Sequence, residues 1–148
     1  MTLEHLFDAE LKFRPGMDPV VPASGREGQL IGSGDGTVRG AAVRGTIRWS
    51  NFETQGERVC GMHPAGLIET DDGATLRFDA RGWALRWDGD GGESIWEVAG
   101  GLRFETEDRR YEWLTRSLAV WEGRFDAATG RGIWRIHGSS QHRGARHE

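Results

Sequence analysis

The sequence predicts a single all-β domain: an antiparallel β-barrel of about eight to nine strands with one short helix near the C-terminus. Three observations carry this expectation. Apolar and polar residues alternate with period two through much of the chain, the pattern of half-buried strands. Twenty-three glycines and only four prolines are spread over 148 residues, many of the glycines between short apolar runs, which is the turn and bulge density of an all-β protein. The strand-like runs are also too many for a flat sheet. Closure removes exposed edges, and eight strands can enclose one small ligand.

In the first element Leu3, His5, Phe7, Ala9, Leu11 and Phe13 share one parity, and Glu4, Asp8, Glu10 and Lys12 the other, with Leu6 the exception. This predicts a half-buried strand that Pro15-Gly16 ends, with His5 as a core histidine. Residues 17–37 read as a long loop or edge segment, because Pro19 and Pro22 oppose central-strand pairing. "GSGDG" within it superficially resembles a phosphate loop, but no Lys-Ser/Thr and no helical segment follows, so Asp35-Gly36 is expected as a tight turn. Strand-like runs then cover 38–50, 66–70, 74–81, 83–88, 94–99 and 102–105. Arg44 and Arg48 lie on one face of the first of these runs and Val43, Ile47 and Trp49 on the other, which puts the arginines outside. Asp71-Asp72-Gly73 fits a hairpin turn, residues 88–92 a longer one, and Gly82 a bulge.

Thr106 is a fitting N-cap, followed by Glu107 and Asp108 in a first turn where the helix dipole favours carboxylates. Tyr111, Leu114 and Leu118 then fall on one side, predicting a helix over 107–115. From Ser117 the period returns to two, and after a turn over 126–132 residues 133–137 form the closing strand with Trp134 and Ile136 on one face. The domain is expected to span residues 1–138, with 139–148 a flexible C-terminal tail.

The formal net charge of −4 and pI near 5.8 supply no basic surface for nucleic acid. The "HRGARHE" end reads as a short solvated terminus. Cys60 stands alone, so no intramolecular disulfide forms. No run approaches the ~20 apolar residues of a membrane span, and the N-terminal residues lack a signal-peptide layout. The expectation is a cytoplasmic protein without membrane or nucleic-acid partners, with homo-oligomerisation left open.

The run "RFETEDRRYEWLTRSLAVWEG" resembles the C-terminal signature of the domain-of-unknown-function family numbered 3237, matching it at Phe104, Glu105, Thr106, Asp108, Arg110, Tyr111, Trp113, Leu114, Arg116, Ser117 and Leu118. "GDGTVRGAAVRG" is similar to an earlier family motif at Gly36, Thr37, Gly40, Arg44 and Gly45, and "TDDGA" with the later "RG" at Asp71, Asp72, Gly73, Ala74, Arg81 and Gly82. The resemblance covers Leu3 to His137. It implies a small barrel of the lipocalin-like, calycin-like kind and little about chemistry. The chain departs from the family where members carry an Asp-Ala-Arg-Tyr run before "TDDG": here "MHPAGLIE" stands, with His63 near the Asp position and Ala65 near the Arg. "WSNFE", Trp49 to Glu53, likewise replaces a Gly-rich stretch.

The chain has no G-x-S-x-G elbow, no H-E-x-x-H and no cysteine pair, so neither a metal nor a cofactor is expected. A site from His5, His63, His137 and a carboxylate is the metal-binding alternative. Cofactor-free acid–base chemistry needs only a carboxylate or imidazole in a partly apolar pocket. Glu53 and His63 are the candidates to move the proton, and Arg81 to hold an oxyanion. Glu69 with Trp49, Trp83, Trp87 and Trp96 would bind the ligand, since aromatic walls with a few polar groups suit a planar or hydrophobic metabolite. Each candidate has a plainer reading: Glu53 as a solvated loop residue, His63 as a turn cap, Glu69 facing water, Arg81 pairing with Asp79 or Glu69, and all seven tryptophans as core. Trp113, Trp121 and Trp134 read as structural. The function expected is binding of an aromatic or hydrophobic, oxygen-bearing small molecule with isomerase, lyase or cyclase turnover. A non-catalytic carrier or sensor, or a structural oligomerising module, is the alternative.

Overall fold

Nine antiparallel strands form one continuous sheet in the computed structural model, which describes residues 2–14, 18–20, 29–54, 56, 58–87 and 94–139. The strands are β1 (Leu3–Phe13), β2 (Asp18–Val20), β3 (Gln29–Arg39), β4 (Gly45–Thr54), β5 (Val59–Thr70), β6 (Thr75–Arg86), β7 (Ile95–Glu105), β8 (Ala119–Asp126) and β9 (Arg131–Ser139). Their order is β1-β9-β8-β7-β6-β5-β4-β3, and a further β1–β3 pairing closes eight of them into a barrel. β2 pairs with the start of β3, in the lane that β1 occupies farther along β3. Its Pro19 therefore sits on an edge, where a missing N–H is tolerated.

Alternation decides what faces in. Phe7, Ile68, Leu76, Phe78, Phe104, Trp121, Trp134 and Ile136 fill the interior, with Trp121 and Trp134 rings 4.5 Å apart. Each such side chain contributes about 1.5–3 kcal/mol of burial. The exception at Leu6 proves to be a bulge. The β1–β9 register shifts between His5 and Phe7, so Leu6 and Phe7 both turn inward. His5 is consequently not a core histidine: it lies outside, 2.7 Å from Asp8.

The glycines read as punctuation are instead part of the strands. Asp35-Gly36 is not a turn but mid-β3, opposite Lys12 and Leu11 of β1. The 38–50 run breaks at 40–44, between β3 and β4. Gly82 is not a bulge either. It continues a β6 whose register with β7 is unbroken, and it pairs with Gly100, so the two runs on each side of each glycine merge into one strand. β5 likewise begins at Val59 rather than near 66, and β9 runs to buried Ser139, one residue past the expected boundary. Pro15-Gly16, Pro22, the 88–92 turn and the tail from 140 lie outside the described residues.

The predicted helix is shorter than expected: a 3-10 turn at Arg109–Tyr111 runs into a single α turn, α1 (Glu112–Thr115). Asp108 rather than Thr106 caps it, accepting from the Arg110 N–H at 2.9 Å, while Thr106 Oγ1 accepts from Asp108 N–H. Tyr111, Trp113 and Leu114 enter the core, but Leu118 is 65% exposed and does not share their face. Asp72 straps this segment to the β5–β6 turn. It accepts from Tyr111 Oη at 2.8 Å and from Thr70 Oγ1 at 2.5 Å, and its carbonyl accepts from Arg110 Nη2 at 3.1 Å. Gly73, with φ of +90°, makes the turn possible. Two of the motifs that carry the family resemblance thus meet in one lock at one end of the barrel.

Candidate functional site

The opposite end lacks such a plug among the described residues. There β1, β4, β6 and β8 finish and β5, β7 and β9 begin. Alternation places Phe13, Glu53, Cys60, Arg86, Trp96 and Phe125 on the inner parity of the wall at this mouth. Phe13 and Phe125 rings lie 4.3 Å apart. Below them, Trp49, Asn51 and Glu53 form one inward row along β4.

Each member of that row has a distinct state. Trp49 is 4% exposed, packed against Gly34 and edge-on to Phe13 at 5.1 Å, and its indole N–H has no acceptor among the described residues. Asn51 is fully buried. Its Oδ1 accepts the His63 N–H at 3.0 Å and its Nδ2 donates to Met62 Sδ at 3.6 Å. Pro64, opposite Asn51, has no N–H for the ladder, and the β5–β6 register skips His63 and Pro64; the Asn51 side chain supplies a partner that the ladder does not. Burial raises the carboxyl of Glu53 above its ordinary range, only partly opposed by a hydrogen bond from the Cys60 thiol. Burial first, and the Glu53 carboxylate as well, push that thiol up to about 11. Cys60 also lies 3.5 Å from the Gly56 carbonyl. It is a hydrogen-bond partner of Glu53 rather than a ready nucleophile.

His63 and Arg81 are on the outer face. His63 Nε2 meets Asp79 Oδ1 at 3.0 Å, Arg81 Nε is 4.0 Å from the same oxygen, and the Phe52 ring stands 6.2 Å from the imidazole. Trp83, 64% exposed, completes an open groove of about 440 Å³ with them. Glu69 also faces outward, 3.2 Å from Arg48, and Trp87 lies over the Arg124 guanidinium at 5.1 Å. Trp96 is partly buried against the core. The expected residues are therefore divided by the barrel wall: Trp49, Glu53 and Trp96 inside, His63, Glu69, Arg81 and Trp83 outside. One molecule inside the mouth reaches Glu53 but not Arg81. His5 and His137 rings are 5.5 Å apart, away from His63, and no three metal-capable side chains converge among the described residues.

Sequence reasoning missed Asn51, Cys60 and Arg86. The parity of Asn51 with Trp49 and Glu53 was available. That of Arg86 with Ala84 was hidden by reading Gly82 as a break. Chemically, the mouth offers aromatic walls, a carboxyl able to carry its proton nearer to neutrality, and an arginine at the rim.

The fold is shared with solved structures. A beta-barrel-like protein from Acinetobacter baumannii AYE aligns with TM-score 0.78 at 19% identity, covering 93% of this chain and 94% of that one. A conserved protein of unknown function from Rhodopseudomonas palustris aligns with TM-score 0.78 at 19% identity, over 93% and 96%. An enzyme from Penicillium herquei aligns with TM-score 0.57 at 21% identity, over 91% and 93%. No curated sequence relative matches. No helix among the described residues is long and apolar enough to cross a membrane. The family model for proteins of unknown function DUF3237 matches residues 1–137, and this chain, a closed antiparallel barrel with its motifs locked around Asp72, belongs to that family.

Proposed function

We propose that this mouth of the barrel binds a small aromatic or hydrophobic, oxygen-bearing molecule and turns it over by cofactor-free acid–base chemistry, as an isomerase, lyase or cyclase. The observation that carries this reading is Glu53: an inward carboxyl whose proton affinity burial has raised, near a rim of Phe13, Trp96 and Phe125. A carboxyl tuned toward neutrality can give a proton to a carbonyl or ether oxygen and take one back in the same cycle. The buried Trp49 indole N–H, without an acceptor among the described residues, supports it as a donor that a ligand oxygen entering past Phe13 would satisfy, since a buried donor without a partner costs about 1–3 kcal/mol. Arg86, at the same rim, takes the anion-holding role first expected of Arg81. The barrel neighbour from Penicillium herquei, itself an enzyme, is compatible with chemistry on this fold.

A non-catalytic carrier is the second reading. Trp121, Trp134, Phe7 and Phe78 fill the barrel deep inside, so a ligand rests at the mouth rather than being enclosed. Proton NMR of the protein with pooled aromatic oxygen-bearing compounds separates the two. Turnover is expected from the wild type and from His63→Ala, and not from Glu53→Gln. Saturable binding without product supports the carrier. Turnover that survives Glu53→Gln and disappears with His63→Ala would move the site to the outer face.

A further inference from the structure

Gly101 makes a dimple in the outer wall. It stands between Arg81 of β6 and Val120 of β8, its partners in the two ladders. Its φ is not positive, and a Cβ built there meets only the Ala119 carbonyl oxygen, at 3.8 Å. Nothing in the backbone requires glycine, and the missing side chain leaves space. The dimple is the floor of a groove of about 1030 Å³ between β6, β7, β8 and the segment that follows α1.

The two sides of this groove differ in chemistry. One side is basic: Arg77, Arg81 and Arg103 line it with Asp79 and Glu105, in a protein of net charge −4, and Arg116 stands across the groove beside Leu118. Arg77 is committed to Glu105 at 3.3 Å and Arg116 to Glu112 at 2.6 Å. Asp79 is held by His63 at 3.0 Å and is 4.0 Å from Arg81, whose side chain is 75% exposed. Arg103, directly opposite Asp79 and diagonal to Arg81 across the β6–β7 ladder, has no ion pair within 4.0 Å among the described residues. The other side is aliphatic, with Leu118 65% and Val120 39% exposed.

We infer that this groove is a second binding site, for an amphiphile with one anionic head and a short hydrocarbon body. Arg81 and Arg103 hold the head, where a guanidinium fork matches a carboxylate bidentately. Leu118 and Val120 cover the chain, which removes their apolar surface from water. The site is on the outer face of β6, β7 and β8, whereas Glu53 stands on the inner face of β4 at the mouth, so it is independent of the mouth chemistry.

The test is titration of isotope-labelled protein with octanoate, 1-octanol and inorganic phosphate, read on the Leu118 and Val120 methyl signals. Octanoate is expected to shift both saturably, with an affinity that falls as salt rises. Arg81→Gln and Arg103→Gln should each weaken it about tenfold or more. Gly101→Val should abolish it while leaving the circular dichroism and melting profile of the fold in place, because the position has room for a side chain. Glu53→Gln should leave it unchanged. Equal binding of 1-octanol would overturn the arginine clamp, and equal competition by phosphate would overturn the aliphatic half. Octanoate binding that survives Gly101→Val would overturn the site altogether.

Discussion

Gly82 and Gly100 face each other across the β6–β7 ladder, one residue from Gly101, and the three should respond to alanine in opposite directions. A Cβ on Gly82 would lie 2.1 Å from the Ala99 carbonyl oxygen, and one on Gly100 would lie 2.0 Å from the Arg81 oxygen and 2.6 Å from Gly82 Cα. Ordinary contact begins near 3.4 Å, so one strand must retreat by about 1.3 Å at Gly82. Overpacking of this kind costs about 1–3 kcal/mol, and loosening the local ladder adds about 1 kcal/mol for each hydrogen bond weakened. The lower entropy of an unfolded alanine returns about 0.5–1 kcal/mol. The net expectation for Gly82→Ala or Gly100→Ala is a loss of about 2–3 kcal/mol, or about 6–10 °C in Tm for a domain of this size. Gly101→Ala, with only a 3.8 Å neighbour, should gain about 0.5 kcal/mol. Thermal and urea unfolding followed by far-ultraviolet circular dichroism measure all three. Equal effects within 0.5 kcal/mol would refute the view that close strand approach, rather than chain flexibility, places Gly82 and Gly100.

Three further outcomes follow from the titrating groups. Glu53 holds its proton more tightly when folded than its ordinary value of 4.5, so its ionisation destabilises the native state. The stability gained by Glu53→Gln should therefore be absent below about pH 4.5, grow as pH rises through the raised pKa and level off above it; a gap that shrinks with rising pH would contradict this. Cys60, buried and with its thiol pushed up to about 11, should react with iodoacetamide at pH 8 far more slowly in the folded protein than in urea; similar rates in both would contradict its placement. Hydrogen bonds from Thr70 and Tyr111 hold the Asp72 carboxyl below its ordinary 3.8. Its contribution is present above the unfolded value and lost as pH falls through the folded one. Asp72→Asn should thus lower Tm at pH 7 and flatten the loss of stability below about pH 4, and an unchanged acid limb would argue against the Asp72 lock.

The barrel was legible because closure leaves each strand a dry face and a wet face, and alternation records it. Trp49 inside and Arg48 outside follow from parity alone, and both stand so. Parity failed where one extra residue shifts it, at Leu6, which turned His5 outward. Strand limits failed at glycines and at one proline. Gly36 and Gly82 look like punctuation because glycine usually supplies a turn, yet here they let backbones approach. Pro64 argues against a central strand, and β5 tolerates it through the Asn51 side chain, a contact that no local pattern announces.

The site was legible only in part, for the same reason. Glu53 shares parity with Trp49, so its inward position follows once β4 is known to continue past Ser50. His63 and Arg81 carry suitable chemistry, but residue type does not say which side of a wall it serves. Only the β4–β5–β6 register shows that they face Phe52 and Trp83 outside, with Glu53 on the other surface. Arg86 escaped notice because the inner parity of β6 is traceable only across an unbroken Gly82.

The most direct test of the mouth is the nitrogen–proton spectrum of the seven indole groups, with the Trp49 signal assigned by Trp49→Phe. Trp121 already donates to the Gly101 carbonyl at 3.2 Å and should serve as the unmoving reference, whereas the Trp49 N–H has no acceptor among the described residues. On adding an aromatic ketone or phenol that the protein binds, the Trp49 signal is predicted to move downfield saturably, accompanied by Trp96 and weakened by Glu53→Gln. Saturable shifts at Trp83 with Trp49 and Trp96 unmoved would place the ligand on the outer face and contradict the mouth as the functional site.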